Sequence, residues 1–154
     1  MTSIESNLAR LGIVLPNPAA PAANYAPFMR TGGLLFTAGQ LPLRDGKLAA
    51  SGLLGRDLAT AEGREAAKWC AVNILAQAKA ALGSLEAIAR VVKITVFVAS
   101  TADFTEHHLV ANGASDLLVD ILGDKGRHAR SAVGVAALPL NAAVEVEAII
   151  EAAS

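Results

Sequence analysis

Toward its C-terminus the chain alternates apolar and polar positions in the manner of extended strands. Ser131–Leu138 and Ala143–Ile150 are β-rich runs flanking the turn-like Pro139-Leu140-Asn141, and they predict a hairpin or a neighbouring pair of strands. Successive side chains of a strand face opposite ways. Val144, Val146, Ala148 and Ile150 therefore share one face, and Glu145, Glu147, Ile149 and Glu151 the other. Arg130 falls on the side of Ala132, Gly134 and Ala136, a line of very small residues. A guanidinium over small residues, with carboxylates on a nearby strand, makes a compact polar recess. The competing reading is a solvated sheet edge with an ordinary ion pair.

Upstream, the same patterning predicts the other elements. Thr2–Leu11 reads as a short helix with a Thr2/Glu5 capping box, Ile4 and Leu8 one turn apart, and Gly12 as its stop. Pro16, Pro18, Pro21 and several alanines form an extended arm to Asn24, followed by Tyr25, the sole tyrosine. Ala26–Arg30, a turn at Thr31-Gly32-Gly33 and Leu34–Ala38 predict a β-hairpin. Gly39-Gln40-Leu41-Pro42 breaks it, Arg44-Asp45-Gly46-Lys47 makes a tight turn, and Gly52–Gly55 continues as loop or short strand.

Leu58–Leu82 is the clearest helix. Thr60 is the expected N-cap, Ala67, Cys70 or Ala71, Ile74, Leu75, Ala78 and Leu82 recur at helical spacing, and Gly83 ends it. Trp69 and Cys70 read as packing residues. Leu85–Arg90 reads as a helical link into the β-branched strand Val91–Ser100. Asp103 is the expected cap of a helix over Phe104–Leu122, weakened by Asn112 and Gly113, so that the element starts either there or near Ala114. Gly123–His128 reads as a polar loop. The order β-β-α-β-α-β-β describes one α+β domain over 1–154, with an N-terminal helix and arm at 1–24, and helices covering one face of a mixed sheet.

Composition changes this picture at two points. The 154 residues are 53% hydrophobic and only 18% charged, with a mean hydropathy of +0.45. So little polar surface points to apolar area hidden between subunits. A net charge of −1 offers no electrostatic footprint for nucleic acid or an anionic membrane. No apolar run reaches the roughly 20 residues of a membrane helix, no secretory leader is visible, and the single cysteine excludes an internal disulfide. A reducing cytoplasm is the expected location.

Few motifs carry chemistry. His107 and His108 are adjacent, and His128 is remote; with one cysteine and no HExxH, no metal is expected. The glycines match neither a P-loop nor a dinucleotide fingerprint, and no nucleophile elbow is present. Arg130 and Glu145 remain. Arginine suits a carboxylate because its planar fork donates two parallel hydrogen bonds, and a nearby glutamate can position water or exchange a proton.

TAGQLPL at 37–43, VVKITVFVASTADF at 91–104 and HARSAVGVAALPLNAAVEVEAI at 128–149 resemble, in the same order, the Rid family, also called YjgF or L-PSP. The resemblance spans roughly Tyr25 to the C-terminus. It implies a chorismate-mutase-like α+β fold, a mixed sheet with two main helices on one face, assembled as a homotrimer with clefts between subunits. It implies cofactor-free and metal-free hydrolysis of reactive enamines and imines to ketoacids and ammonia. By position, Arg130 matches the arginine that holds the substrate carboxylate, and Glu145 the glutamate thought to position water. Tyr25 matches the cleft tyrosine, and Gly39 the glycine of the family's SGQ segment. Ala38 stands where that segment has serine, Ala132 where a cysteine is often found, and the family asparagine falls at Asn112 or Gly113. The long arm and the NGASDLL segment resemble a divergent branch. Three other readings stand beside deaminase chemistry: a trimer that binds a small carboxylate without turnover, the ribonuclease activity attached to the L-PSP name, and a structural or chaperone-like trimer.

Overall fold

The computed structural model describes residues 2–154. Helix α1 (Ser3–Arg10) opens with the expected capping box: Thr2 Oγ1 accepts the Glu5 N–H at 3.1 Å and Glu5 Oε2 accepts the Thr2 N–H at 2.9 Å. Each satisfied end donor is worth about 1 kcal/mol to a helix this short. Buried Ile4 and Ile13 join the core, and Asn7 Nδ2 donates to the Ile121 carbonyl at 3.0 Å. Strands β1 (Phe28–Thr31) and β2 (Leu34–Thr37) form the hairpin, closed by the two residues Gly32-Gly33. The Asp45-Gly46 turn joins a two-residue ribbon, β3 (Leu43–Arg44) with β4 (Lys47–Leu48).

Helix α2 (Thr60–Leu82) is buried at every position from Cys70 to Ala78, as expected of a helix covered on all sides. Its cap departs from expectation. Ala59 is the N-cap, Glu62 Oε1 accepts the Ala59 N–H at 3.0 Å, and Thr60 is the first helical residue. The Thr60 hydroxyl instead donates to Glu106 Oε1 at 2.6 Å, at the foot of the next helix. That helix, α3 (His107–Leu122), begins neither at Phe104 nor near Ala114. Glu106 is its N-cap, and Asp103 accepts the Thr101 hydroxyl at 2.7 Å instead of capping. Gly113 does not weaken α3. It lies where α3 crosses α2, and a Cβ there would run into the Arg64 carbonyl. Of the expected helical link Leu85–Arg90, only Leu85–Ala87 is a 3-10 turn; the rest belongs to strand β5 (Ile88–Ala99).

The five-stranded sheet runs in the order β1-β2-β7-β5-β6, with β6 at Ala129–Val135 and β7 at Val144–Ala152. The expected pairing of the last two strands is therefore wrong. β5 lies between them, parallel to β6 and antiparallel to β7. The β5-α3-β6 unit is a parallel crossover, which needs a helix-length connection. The chain then leaves β6 through Pro139–Asn141, where Leu140 and Asn141 adopt left-handed backbone (φ 59° and 63°). This return segment is stitched to the 50–54 loop (Gly52 N–H to Asn141 O, 2.9 Å) rather than folded into a hairpin. Rows across the three strands follow from the register. Arg130, Ile94 and Ala148 share the helix-covered face, while Val133, Phe97 and Glu145 share the opposite one.

Candidate functional site

The sheet register separates the two expected site groups. Arg130 lies on edge strand β6, beside buried Ile94, and turns toward α3. Its Nη1 donates to Asn112 Oδ1 at 2.9 Å and to Ser115 Oγ at 3.1 Å; its Nη2 donates to the His108 carbonyl at 3.1 Å. Three of five guanidinium N–H donors are thus engaged, and two are left over among the described residues. The asparagine in contact is Asn112, while Gly113 serves the helix crossing. Ala132 lies two residues along the same face, half-buried against the core.

Ser115 and His128 were not singled out from the sequence, yet both adjoin Arg130. Ser115 Oγ is 2.8 Å from His128 Nε2, and His128 Nδ1 is 2.6 Å from the Gly126 carbonyl. Ser115, Asp116, Val119, Arg127, His128 and Arg130 line an open recess of about 290 Å³. Ser115 lies three residues beyond Asn112 on α3, which places both on the face of the helix toward β6. That helical spacing was the available signal, obscured while the start of α3 was in doubt.

Glu145 faces the other way. It is half-buried, and its carboxyl pKa is raised, chiefly by burial and secondarily by the neighbouring Glu147 charge. Gly39 makes this placement possible: a Cβ at 39 would lie 2.7 Å from Glu145 Cδ. Ala38, joined by its N–H to the Pro27 carbonyl at 2.9 Å, presents no hydroxyl. Tyr25 is 48% exposed. With Gly39, Gln40, Leu140 and arm residues it lines a pocket of about 120 Å³. Gly39 and Glu145 thus meet on one side, with Tyr25 in the pocket that Gly39 also lines, and Arg130, Asn112 and Ala132 lie on the other. The compact recess expected to unite Arg130 with the β7 carboxylates does not form within the chain, because β5 intervenes and the side chains take opposite faces.

Buried amides hold the Gly39 loop. Gln40 exchanges backbone hydrogen bonds with Val146 (2.7 and 3.1 Å), Asn73 Nδ2 donates to the Leu43 carbonyl at 2.9 Å, and Gln77 Nε2 donates to the Ala19 carbonyl at 3.0 Å. Two amides four residues apart in the otherwise apolar stretch from Cys70 to Ala78 are the signal for this role. Beyond the loop, the open face presents Met29, Phe36, Ile149, Phe97 and Val133, with Met29 65% exposed. Among the described residues no group of three His, Cys, Asp or Glu side chains is arranged to hold a metal ion. No helix among the described residues is long and apolar enough to cross a membrane.

Residues 5–152 match the family described as "YjgF/chorismate_mutase-like, putative endoribonuclease". The chain belongs to the YjgF/chorismate-mutase-like family. The match extends through α1 and the arm, well upstream of Tyr25 where the sequence resemblance began. Protein TCP17 of Trypanosoma cruzi is 51% identical over 149 residues, covering 96% of this chain and 93% of its own. A crystal structure of an Agrobacterium tumefaciens protein of unknown function is 54% identical, covers 97% and 92%, and superposes with a TM-score of 0.92. RidA from an Antarctic Psychrobacter is 30% identical, covers 88% and 93%, and gives a TM-score of 0.60. The YjgF-like sheet and helices account for these similarities.

Proposed function

We propose that the protein hydrolyses reactive enamines and imines to ketoacids and ammonia, as a homotrimer in which one copy's Arg130 faces a neighbouring copy's Glu145. The observation that carries this reading is the state of Arg130. Its bonds to Asn112, Ser115 and the His108 carbonyl orient it at a sheet edge and leave two donors for a carboxylate. Arg130 and Glu145 lie on opposite faces of one sheet, so only a second copy brings them to one substrate. The apolar open face, with Met29 and Phe36 exposed, offers that copy a surface. Similarity to a RidA adds support.

In this mechanism Arg130 anchors the substrate carboxylate and fixes the C=N carbon. Glu145 orients water for attack on that carbon, and collapse of the carbinolamine releases ammonia. An imine is already electrophilic, so positioning supplies most of the required rate, and the reaction takes no cofactor. Gly39 forms the wall beside Glu145, and Tyr25 lines the adjoining pocket. Ammonia release from freshly generated 2-aminoacrylate, compared in wild type and Arg130→Ala, tests the proposal. Acceleration that vanishes in the variant supports it; equal catalytic efficiency removes the anchor. Glu145→Ala is expected to reduce turnover more than carboxylate binding.

Ala38 favours a second reading, in which the trimer binds a small carboxylate without turnover, since the serine hydroxyl of the family segment is absent. Tight carboxylate binding without ammonia release distinguishes it. A ribonuclease reading would need a basic stripe for phosphates, and the net charge of −1 gives it no comparable support.

A further inference from the structure

Two serine–histidine pairs flank α3, and their second ring nitrogens distinguish them. Ser100 Oγ is 3.1 Å from His107 Nε2, but His107 Nδ1 has no hydrogen-bond partner among the described residues, and Phe104 packs edge-on against the ring at 5.1 Å. Nothing fixes that tautomer. At the other end, His128 Nδ1 lies 2.6 Å from the Gly126 carbonyl. A carbonyl only accepts, so Nδ1 carries the proton and Nε2 of the neutral ring presents a lone pair. The Ser115 hydroxyl, 2.8 Å away, therefore donates to Nε2, while its oxygen accepts from Arg130 Nη1 at 3.1 Å. With the ring neutral, every hydrogen bond from Arg130 through Ser115 and His128 to Gly126 has one direction.

We infer that Ser115 is the nucleophile of an esterase site acting on small carboxylic esters, with His128 as its base, the Gly126 carbonyl as the group that orients the base, and Arg130 as the oxyanion donor. The parts required for activated-nucleophile chemistry are hydroxyl–base contact, base–orienter contact and an oxyanion donor within reach of the carbonyl oxygen under attack. The 2.8 and 2.6 Å contacts of His128 meet the first two, and the two Arg130 N–H donors not engaged by α3 are available for the third at the open recess of about 290 Å³. Both Ser115 and His128 are partly exposed there, so an ester can reach them.

Ser115 Oγ attacks the ester carbonyl carbon as its proton passes to His128 Nε2. The oxyanion forms beside the Arg130 guanidinium. The ester C–O bond then breaks, and the alkoxide leaves with the proton from His128 as an alcohol. Water adds to the acyl-Ser115, giving its proton to His128. Ser115 Oγ departs, recovers that proton, and the carboxylic acid is released. This reaction does not rest on the imine-hydrolase reading, although it shares Arg130, and its readouts contain no ammonia.

The test is covalent labelling of the full-length protein with a fluorophosphonate, read by peptide mass, together with p-nitrophenyl acetate hydrolysis. One label per chain on the peptide containing Ser115 is expected. Ser115→Ala should carry no label, His128→Gln should label about 100-fold more slowly or worse, and Ser100→Ala should label as wild type does. Circular dichroism of each variant separates loss of chemistry from loss of fold. Labelling at any other residue, an unchanged rate in folded His128→Gln, or no label and no ester hydrolysis by the wild type would overturn the assignment.

Discussion

The two faces of the sheet each carry one charged side chain of the candidate site, and they treat it in opposite ways. On the helix-covered face Arg130 is held by a side-chain amide, a hydroxyl and a carbonyl, all supplied by α3. On the open face the Glu145 carboxylate makes no hydrogen bond among the described residues, and burial, with the neighbouring Glu147 charge, raises its pKa. The first charge is pre-oriented; the second is partly desolvated without compensation. In the proposed trimer, the fixed donor of one copy and the poorly satisfied acceptor of another would be the two halves of one site. Reading only one face would yield an ordinary structural arginine or an ordinary half-buried glutamate.

The strongest way to break the helix-covered half is to separate α2 from α3. Gly113→Leu would drive a side chain into the Arg64 carbonyl, and overpacking at a backbone contact should cost about 4 kcal/mol or more. Loss of soluble protein or a collapsed melting transition checks this. Arg130→Lys is the sharper cut. It keeps the charge but cannot hold Asn112, Ser115 and the His108 carbonyl while offering a fork to a carboxylate, so the proposed imine turnover should fall about 100-fold with the circular dichroism spectrum unchanged.

The open half is attacked by Phe36→Arg. Phe36 sits between Met29 and Ile149 on the uncovered face, so a charge there should dissociate the proposed trimer while each chain stays folded, as read by sedimentation velocity. The smallest expected effect comes from Glu145→Gln. The folded chain holds the Glu145 proton more tightly than the unfolded chain does. That contribution to stability is full below the ordinary glutamate pKa and lost as pH rises through the raised value. Glu145→Gln should therefore raise the melting temperature at pH 7 and converge with wild type in acid. A variant less stable than wild type at pH 7 would show that Glu145 is paired after all.

Local patterning was enough for much of this molecule. The Thr2/Glu5 box, the Gly32-Gly33 hairpin, the long apolar helix and the alternation of Val144, Val146, Ala148 and Ile150 each depend on neighbours within a few residues. So did the choice of Arg130 and Glu145, since the resemblance that marked them is itself a string of adjacent residues. Strand order is different. Whether β6 pairs with β7 or with β5 depends on contacts more than thirty residues apart, and the short Pro139–Asn141 segment imitates a hairpin turn. Gly113 misled for the same reason: alone it is a poor helix residue, and only the Arg64 backbone packed against it explains its place. Ser115 and His128 are thirteen residues apart, with nothing local to join them until α3 returns onto β6. The sequence by itself determined most of the elements and pointed to Arg130 and Glu145. The tertiary structure decided which face each one occupies, because a sheet assigns faces through register, and register is set by long-range pairing rather than by any single strand.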